Sequence, residues 1–194
     1  MASAAATVLI LGHSFVKRLK SDIETGFDSR VDGNFNLHGS AFVHMFGVGG
    51  RTVSKLQAHD LNVISRLAPD VVILEIGTND LSQSGPEVVA SEIEVLVSLL
   101  REKYSVRVIG VCQVIPRGQS YAGFQSFNIK VPVLHQCLSA LLEHIDNVFC
   151  WYHKGFSNLS QTRLTHDGVH LDPLGQYFLY RSYRGAILKA LNML

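Results

Sequence analysis

Five short runs of almost unbroken apolar character punctuate the chain, at residues 7–11, 41–45, 71–76, 106–112 and 148–151. A strand wetted on one side alternates polar and apolar residues, whereas a strand covered on both faces need not. Three of the runs are nearly continuous in β-branched or large apolar residues. They therefore predict the buried strands of a parallel sheet.

Between the runs the apolar period changes. Val131, Leu134, Leu138, Leu141 and Ile145 follow spacings of three, four, three and four, a single stripe on a helix. Val89, Ile93, Leu96 and Leu100 repeat the pattern, with Pro86 where a first helical turn accepts proline. A last helix is predicted from Asp172 as N-cap, through Pro173 at its first position, to about Leu191. Strands alternating with helices in this way predict an α/β protein with five parallel strands in three layers. Two stretches are rich in turn formers. Residues 26–40 are predicted to join the first helix to the second strand, and 116–123 follow the fourth strand on the carboxyl side of the sheet.

Composition narrows the function classes. The 194 residues suit one domain, with no repeat, low-complexity tract or linker to divide them. Residues 1–6 are small and apolar with no basic start, and are read as a tag or linker remnant ahead of a domain spanning 7–194. A net charge of +1 without a dense Lys/Arg run argues against nucleic acid as a partner. The basic residues in 17–20 and 101–103 are read as helix surface. Cys112, Cys137 and Cys150 are odd in number, far apart and in apolar settings. They are expected to be buried thiols of a reducing, intracellular and cytoplasmic compartment. No apolar stretch approaches the roughly 20 residues that cross a bilayer.

In parallel α/β sheets, reactive side chains gather beyond the carboxyl ends of the strands. Gly12-His13-Ser14 follows the first run, Gly47-Val48-Gly49-Gly50-Arg51-Thr52 the second, and Gly77-Thr78-Asn79-Asp80 the third; Asp167-Gly168-Val169-His170 precedes the last helix. Together they supply a hydroxyl, a glycine amide, an amide side chain and a carboxylate–imidazole pair, which is what acyl transfer requires. A serine becomes nucleophilic at neutral pH with the help of a base, and the base needs an orienting partner. The tetrahedral intermediate needs preorganised donors, and the Asn79 amide is one candidate. A three-residue spacing lets Asp167 reach Nδ1 of His170 within one tight turn, leaving Nε2 outward.

Each segment also has a plainer reading. Ser14 can be a helix N-cap, the glycines a turn, Asn79-Asp80 a helix start, and Asp167–His170 an Asx turn beside a surface histidine. Asp80 is assigned that structural role, and Phe127 and Asn128 are assigned packing and capping. His166 and His170 are four apart but lack a third ligand, so a metal is not expected. His38, His59 and His144 are read as surface or structural residues. His13 is expected to hold a loop or tune the site's charge and, with Tyr121 and Phe124, to contact substrate.

Read in order, the four segments resemble the consensus blocks of the SGNH (GDSL-type) hydrolase superfamily over nearly the whole chain. Ser14 matches the nucleophile, Gly50 the second-block glycine, Asn79 the third-block asparagine, and Asp167 with His170 the final pair. The resemblance implies a flavodoxin-like fold of strand order 2-1-3-4-5, and an oxyanion hole from the Ser14 amide, the Gly50 amide and the Asn79 side chain. The glycine and asparagine segments resemble those of small acetylhydrolases acting on phospholipids such as platelet-activating factor. His13 stands where the family usually has aspartate. Gly12-His13-Ser14-Phe15 and the compact size also resemble the esterase domain in the first open-reading-frame protein of some non-LTR retrotransposons.

The expected activity is hydrolysis of acetyl or short-acyl esters, lipid esters among them, with no cofactor or metal; contact with a membrane surface stays open. Two rival readings share the sheet. One is an acyl- or lipid-binding module with little turnover. The other is a nucleotide or flavin binder, which the absence of a GxxxxGK[ST] or GxGxxG loop disfavours.

Overall fold

The computed structural model describes residues 5–156 and 163–194. The strands are β1 (Ala6–Gly12), β2 (Ala41–Gly47), β3 (Val71–Glu75), β4 (Val108–Cys112) and β5 (Val148–Trp151). They form one sheet of order β2-β1-β3-β4-β5, parallel in every pairing. The expected runs coincide with these strands to within two residues at each end, and β5 matches at both.

The helices are α1 (Ser14–Glu24), α2 (Val53–His59), α3 (Asn62–Leu67), α4 (Thr78–Leu81), α5 (Pro86–Glu102), α6 (Phe124–Leu142) and α7 (Pro173–Leu191). Alternate strand residues face opposite layers. Leu9, Leu11, Val72 and Leu74 pack against α2, α3, α5 and α6, while Val8, Ile10, Val71 and Ile73 pack against α1 and α7. All eight are fully buried, each worth roughly 1.5–3 kcal/mol of transfer free energy. This two-sided burial is why the strands carry no polar alternation.

α7 starts as the sequence predicts, with Asp172 Oδ1 accepting from the Gly175 amide at 2.6 Å. The stripe on α6 is shorter than expected. Val131, Leu134 and Leu138 are buried, but the helix ends at Leu142, and Ile145 lies beyond it. Of the three free thiols only Cys112 is buried. Cys137 and Cys150 are only partly buried, against the edge of the core, which corrects the expectation for those two.

β1 is flanked by β2 on one side and β3 on the other, so the winding reverses there. Crevices beyond the carboxyl ends of strands at such a reversal are where doubly wound folds bind ligands. Gly12 makes the close approach possible, since a Cβ at that position would lie 2.1 Å from the Glu75 carbonyl oxygen.

Candidate active site

Ser14 is the first residue of α1 and partly exposed at the reversal. It is not the N-cap that its plainer reading proposed. His13 takes that role, its Nδ1 accepting from the Phe15 amide at 3.4 Å. The start of α1 therefore points its free amides and positive dipole end toward the Ser14 side chain.

The segment containing Asp167 and His170 is a tight turn closed by an antiparallel bridge between Leu164 and Leu171. Thr165 N donates to the His170 carbonyl at 2.7 Å, and Gly168 adopts a left-handed φ of 67°. One carboxylate oxygen of Asp167 accepts from Thr165 Oγ1 and from the Val169 and His170 amides, all at 2.8–2.9 Å. The other lies 2.6 Å from His170 Nδ1. Burial opposes ionisation of Asp167, but the His170 ring and these donors outweigh it and hold the carboxyl well below the usual range. An ionised Asp167 places the ring hydrogen on Nδ1 and frees Nε2.

Asn79 lies in α4, just beyond β3, and its Nδ2 donates to the Arg51 carbonyl at 2.7 Å. That bond uses one of two amide hydrogens. Gly50 is exposed with φ of 69°, a conformation that side-chain-bearing residues rarely adopt. Its turn is braced from both ends. Arg51 makes a two-pronged contact with Asp60 at 2.7 and 2.9 Å, and Asp80 accepts from the Val53 amide at 2.9 Å. Asp80 is thus structural, as its position suggested.

Ser14, Gly50, Asn79 and His170 line one cleft of about 570 Å³. No hydrogen bond joins Ser14 Oγ to His170 among the described residues. Such contacts are often long before substrate binds. A second cavity of about 510 Å³ lies along β2 and contains none of these groups.

The remaining residues expected to contact substrate fall outside the lining of this cleft. His13 is 1% exposed and lies beneath the cleft, not in it. Its Nε2 is 3.6 Å from Glu75 Oε1, beyond hydrogen-bond reach. Burial lowers its pKa to about 4, against the raising influence of Glu75. Tyr121 and Phe124 do not line the cleft; Tyr121 instead stacks on Arg117, 4.1 Å from its ring centre.

The residues that do line it include Lys17, Arg18 and Arg117. Lys17 and Arg18 lie three and four positions after Ser14, a helical spacing that puts them on its face. Reading residues 17–20 as plain surface missed this. Arg117, in a turn-rich loop, offers no such signal.

Under the site lies a polar floor that sequence reasoning also missed, because Glu75 sits within an apolar strand. Glu75 is 1% exposed and accepts from Tyr183 Oη at 2.9 Å and from His153 Nε2 at 3.0 Å. Trp151 Nε1 donates to Ser182 Oγ at 3.0 Å, and Ser182 in turn donates to His153 Nδ1 at 2.7 Å. Glu75, Cys112 and His153 bring three donor atoms within 4.8 Å of one another, the geometry of a metal cluster. Both His153 nitrogens and the Glu75 oxygen facing them are, however, already hydrogen-bonded internally. The donor set is complete as a hydrogen-bond network and has no opening to the cleft.

Comparison with known proteins gives the family and the fold. A model of the GDSL-like lipase/acylhydrolase family matches residues 10–177. The chain belongs to that family. None of the curated proteins matches it, but solved structures share its fold. A GDSL-like lipase from Bacteroides thetaiotaomicron is 16% identical with a TM-score of 0.71, over 95% of this chain and 89% of that one. An acetylxylan esterase from Geobacillus stearothermophilus is 16% identical with a TM-score of 0.68, over 98% and 96%. A chain from Streptococcus pneumonia named for platelet activating factor is 19% identical with a TM-score of 0.69, over 95% and 85%. No helix among the described residues of this GDSL-like chain is long and apolar enough to cross a membrane.

Proposed function

We propose that the protein is a serine carboxylic-ester hydrolase acting on acetyl or other short-acyl esters. The observation that carries this reading is the 2.6 Å contact of Asp167 with Nδ1 of His170, which lines the same cleft as Ser14. His170 Nε2 removes the Ser14 proton as Oγ attacks the ester carbonyl. Asp167 holds the tautomer and stabilises the imidazolium without taking its proton. The Ser14 and Gly50 amides and the second Asn79 hydrogen donate to the oxyanion. His170 then protonates the departing alcohol, and a water activated by the same ring hydrolyses the acyl-enzyme.

Support for a small acyl group comes from relatives of the same fold, named as an acetyl esterase and an acetylxylan esterase. The chain named for platelet activating factor supports lipid esters as one source of such a group. The motif Gly12-His13-Ser14-Phe15, similar to the retrotransposon esterase domain, fits the same chemistry.

The test is turnover of p-nitrophenyl acetate, butyrate and octanoate, with fluorophosphonate labelling. Acetate should be the best of the three, and labelling should map to Ser14. Ser14→Ala should lose both, with kcat/KM down roughly ten-thousandfold or more. Wild-type protein that binds esters but is neither labelled nor active would be a binding module instead.

A further inference from the structure

Arg117 is only 8% exposed, and arginine is seldom buried so deeply without a charged partner. Here the partners are neutral. Nη2 donates to Ser82 Oγ at 2.9 Å and, at 3.4 Å, to the Thr78 carbonyl. The guanidinium lies between two aromatic rings, 4.1 Å from the centre of Tyr121 and 4.3 Å from that of Phe127. Its Nε has no hydrogen-bond partner, and no carboxylate lies within ion-pair distance among the described residues. The field of Asp167 reaches it, yet that carboxylate is already engaged by His170, Thr165 and two amides.

The side chain is also held in place. Asn128 clamps the Arg117 backbone in both directions, accepting from its amide and donating to its carbonyl, each at 2.8 Å. Arg117 lines the cleft as a fixed and largely desolvated guanidinium, a group that pairs well with the planar oxygens of a carboxylate or phosphate. Lys17 and Arg18 line the same cleft and are exposed, and no Asp or Glu lines it. A neutral acyl ester would leave Arg117 without a hydrogen-bonded anion.

Resting on the ester-hydrolase reading above, we propose that this cleft seats an anionic group of its substrate, a carboxylate or a phosphate, against Arg117. The substrate is then an ester whose acyl or alcohol part is negatively charged, and Arg117, Lys17 and Arg18 set that preference.

The test compares matched pairs on the whole chain at low ionic strength. 4-Acetoxybenzoate is set against its methyl ester, and 4-acetoxyphenyl phosphate against its dimethyl ester. Mono-4-nitrophenyl succinate is set against its methyl ester, which places the charge on the acyl side. At least one charged member should exceed its neutral partner in kcat/KM by about tenfold or more. That advantage should shrink with added salt and fall toward parity in Arg117→Gln. Lys17→Gln/Arg18→Gln changes only exposed side chains and should reduce the advantage a few-fold, so a poorly folding Arg117 variant does not end the test. Equal kcat/KM in all three pairs overturns the proposal, as does a ratio untouched by both variants. Should no ester turn over, the hydrolase reading fails by itself and the seat is read by binding. Benzoate or phenyl phosphate should raise the Tm of Ser14→Ala but not of Ser14→Ala/Arg117→Gln. No rise in either, or an equal rise in both, overturns the anion seat.

Discussion

Two carboxylate–histidine pairs sit near each other at the carboxyl end of this sheet, and they are built for opposite ends. In the upper pair, Asp167 and His170, the side chains are 38% and 21% exposed, and among the described residues no hydrogen bond engages Nε2 of the histidine. In the lower pair, Glu75 and His153, both side chains are essentially buried and every ring nitrogen is hydrogen-bonded. The same two functional groups therefore do different work. A histidine whose second nitrogen is satisfied internally can hold a fold together but cannot exchange protons with a ligand. One whose second nitrogen faces a cleft can act as a base. His13 shares the burial of the lower pair despite being next to Ser14 in sequence, although its Nε2 lacks a hydrogen-bond partner.

The contrast can be broken most sharply at Asp167. Asp167→Asn should leave the fold intact but lose the tautomer control, lowering kcat for ester hydrolysis on the order of a thousandfold to ten-thousandfold. Thermal melting should barely change. A large Tm loss with activity retained would place Asp167 in the structural class instead.

At the lower pair the signs reverse. Glu75→Gln weakens the buried hydrogen bonds from Tyr183 and His153, and should destabilise the protein by roughly 1.5–3 kcal/mol, measured by denaturant unfolding. Much of the per-molecule activity of the folded fraction should survive.

Asn79→Ala should lower kcat roughly a hundredfold by removing an oxyanion donor. It also breaks the brace to Arg51, so stability measured alongside separates the two effects.

The last effect concerns His13 and appears only at acid pH. In the unfolded chain it takes up a proton near 6.5, whereas burial keeps it neutral in the fold down to about pH 4. Between those values the unfolded state binds more protons, so stability falls as pH drops through that window, by roughly 3 kcal/mol at most. His13→Asn keeps a helix-capping side chain and should flatten the slope between pH 6.5 and 4. A slope of unchanged size would assign the acid sensitivity to another group.

Much of this molecule was legible before folding. Strand runs without polar alternation announced a sheet covered on both faces, and Asp172-Pro173 announced the start of α7. Ser14, Asp167 and His170 could be picked out as candidates because reactive side chains gather beyond strand ends in a parallel α/β sheet, and the Asp–His spacing is local. Gly50 and Asn79 followed from the same logic of turns beyond strands.

What the linear order could not show were contacts between residues far apart in the chain. Glu75 and His153 are 78 positions apart, and Arg117 meets Thr78 across 39. Nothing in the neighbourhood of Glu75 in the chain distinguishes it from a stray charge at a strand end. Tertiary packing alone decided that it is buried and what answers it. The same holds for His13, whose adjacency to Ser14 suggested a substrate contact. A helix start turns consecutive side chains in different directions, so one faces the cleft while its neighbour caps the helix below. Periodicity and spacing are local properties, and they determined the elements and the candidate pair. Burial and charge compensation are properties of the assembled chain, and they decided which histidine is free to react and which cation is left unanswered.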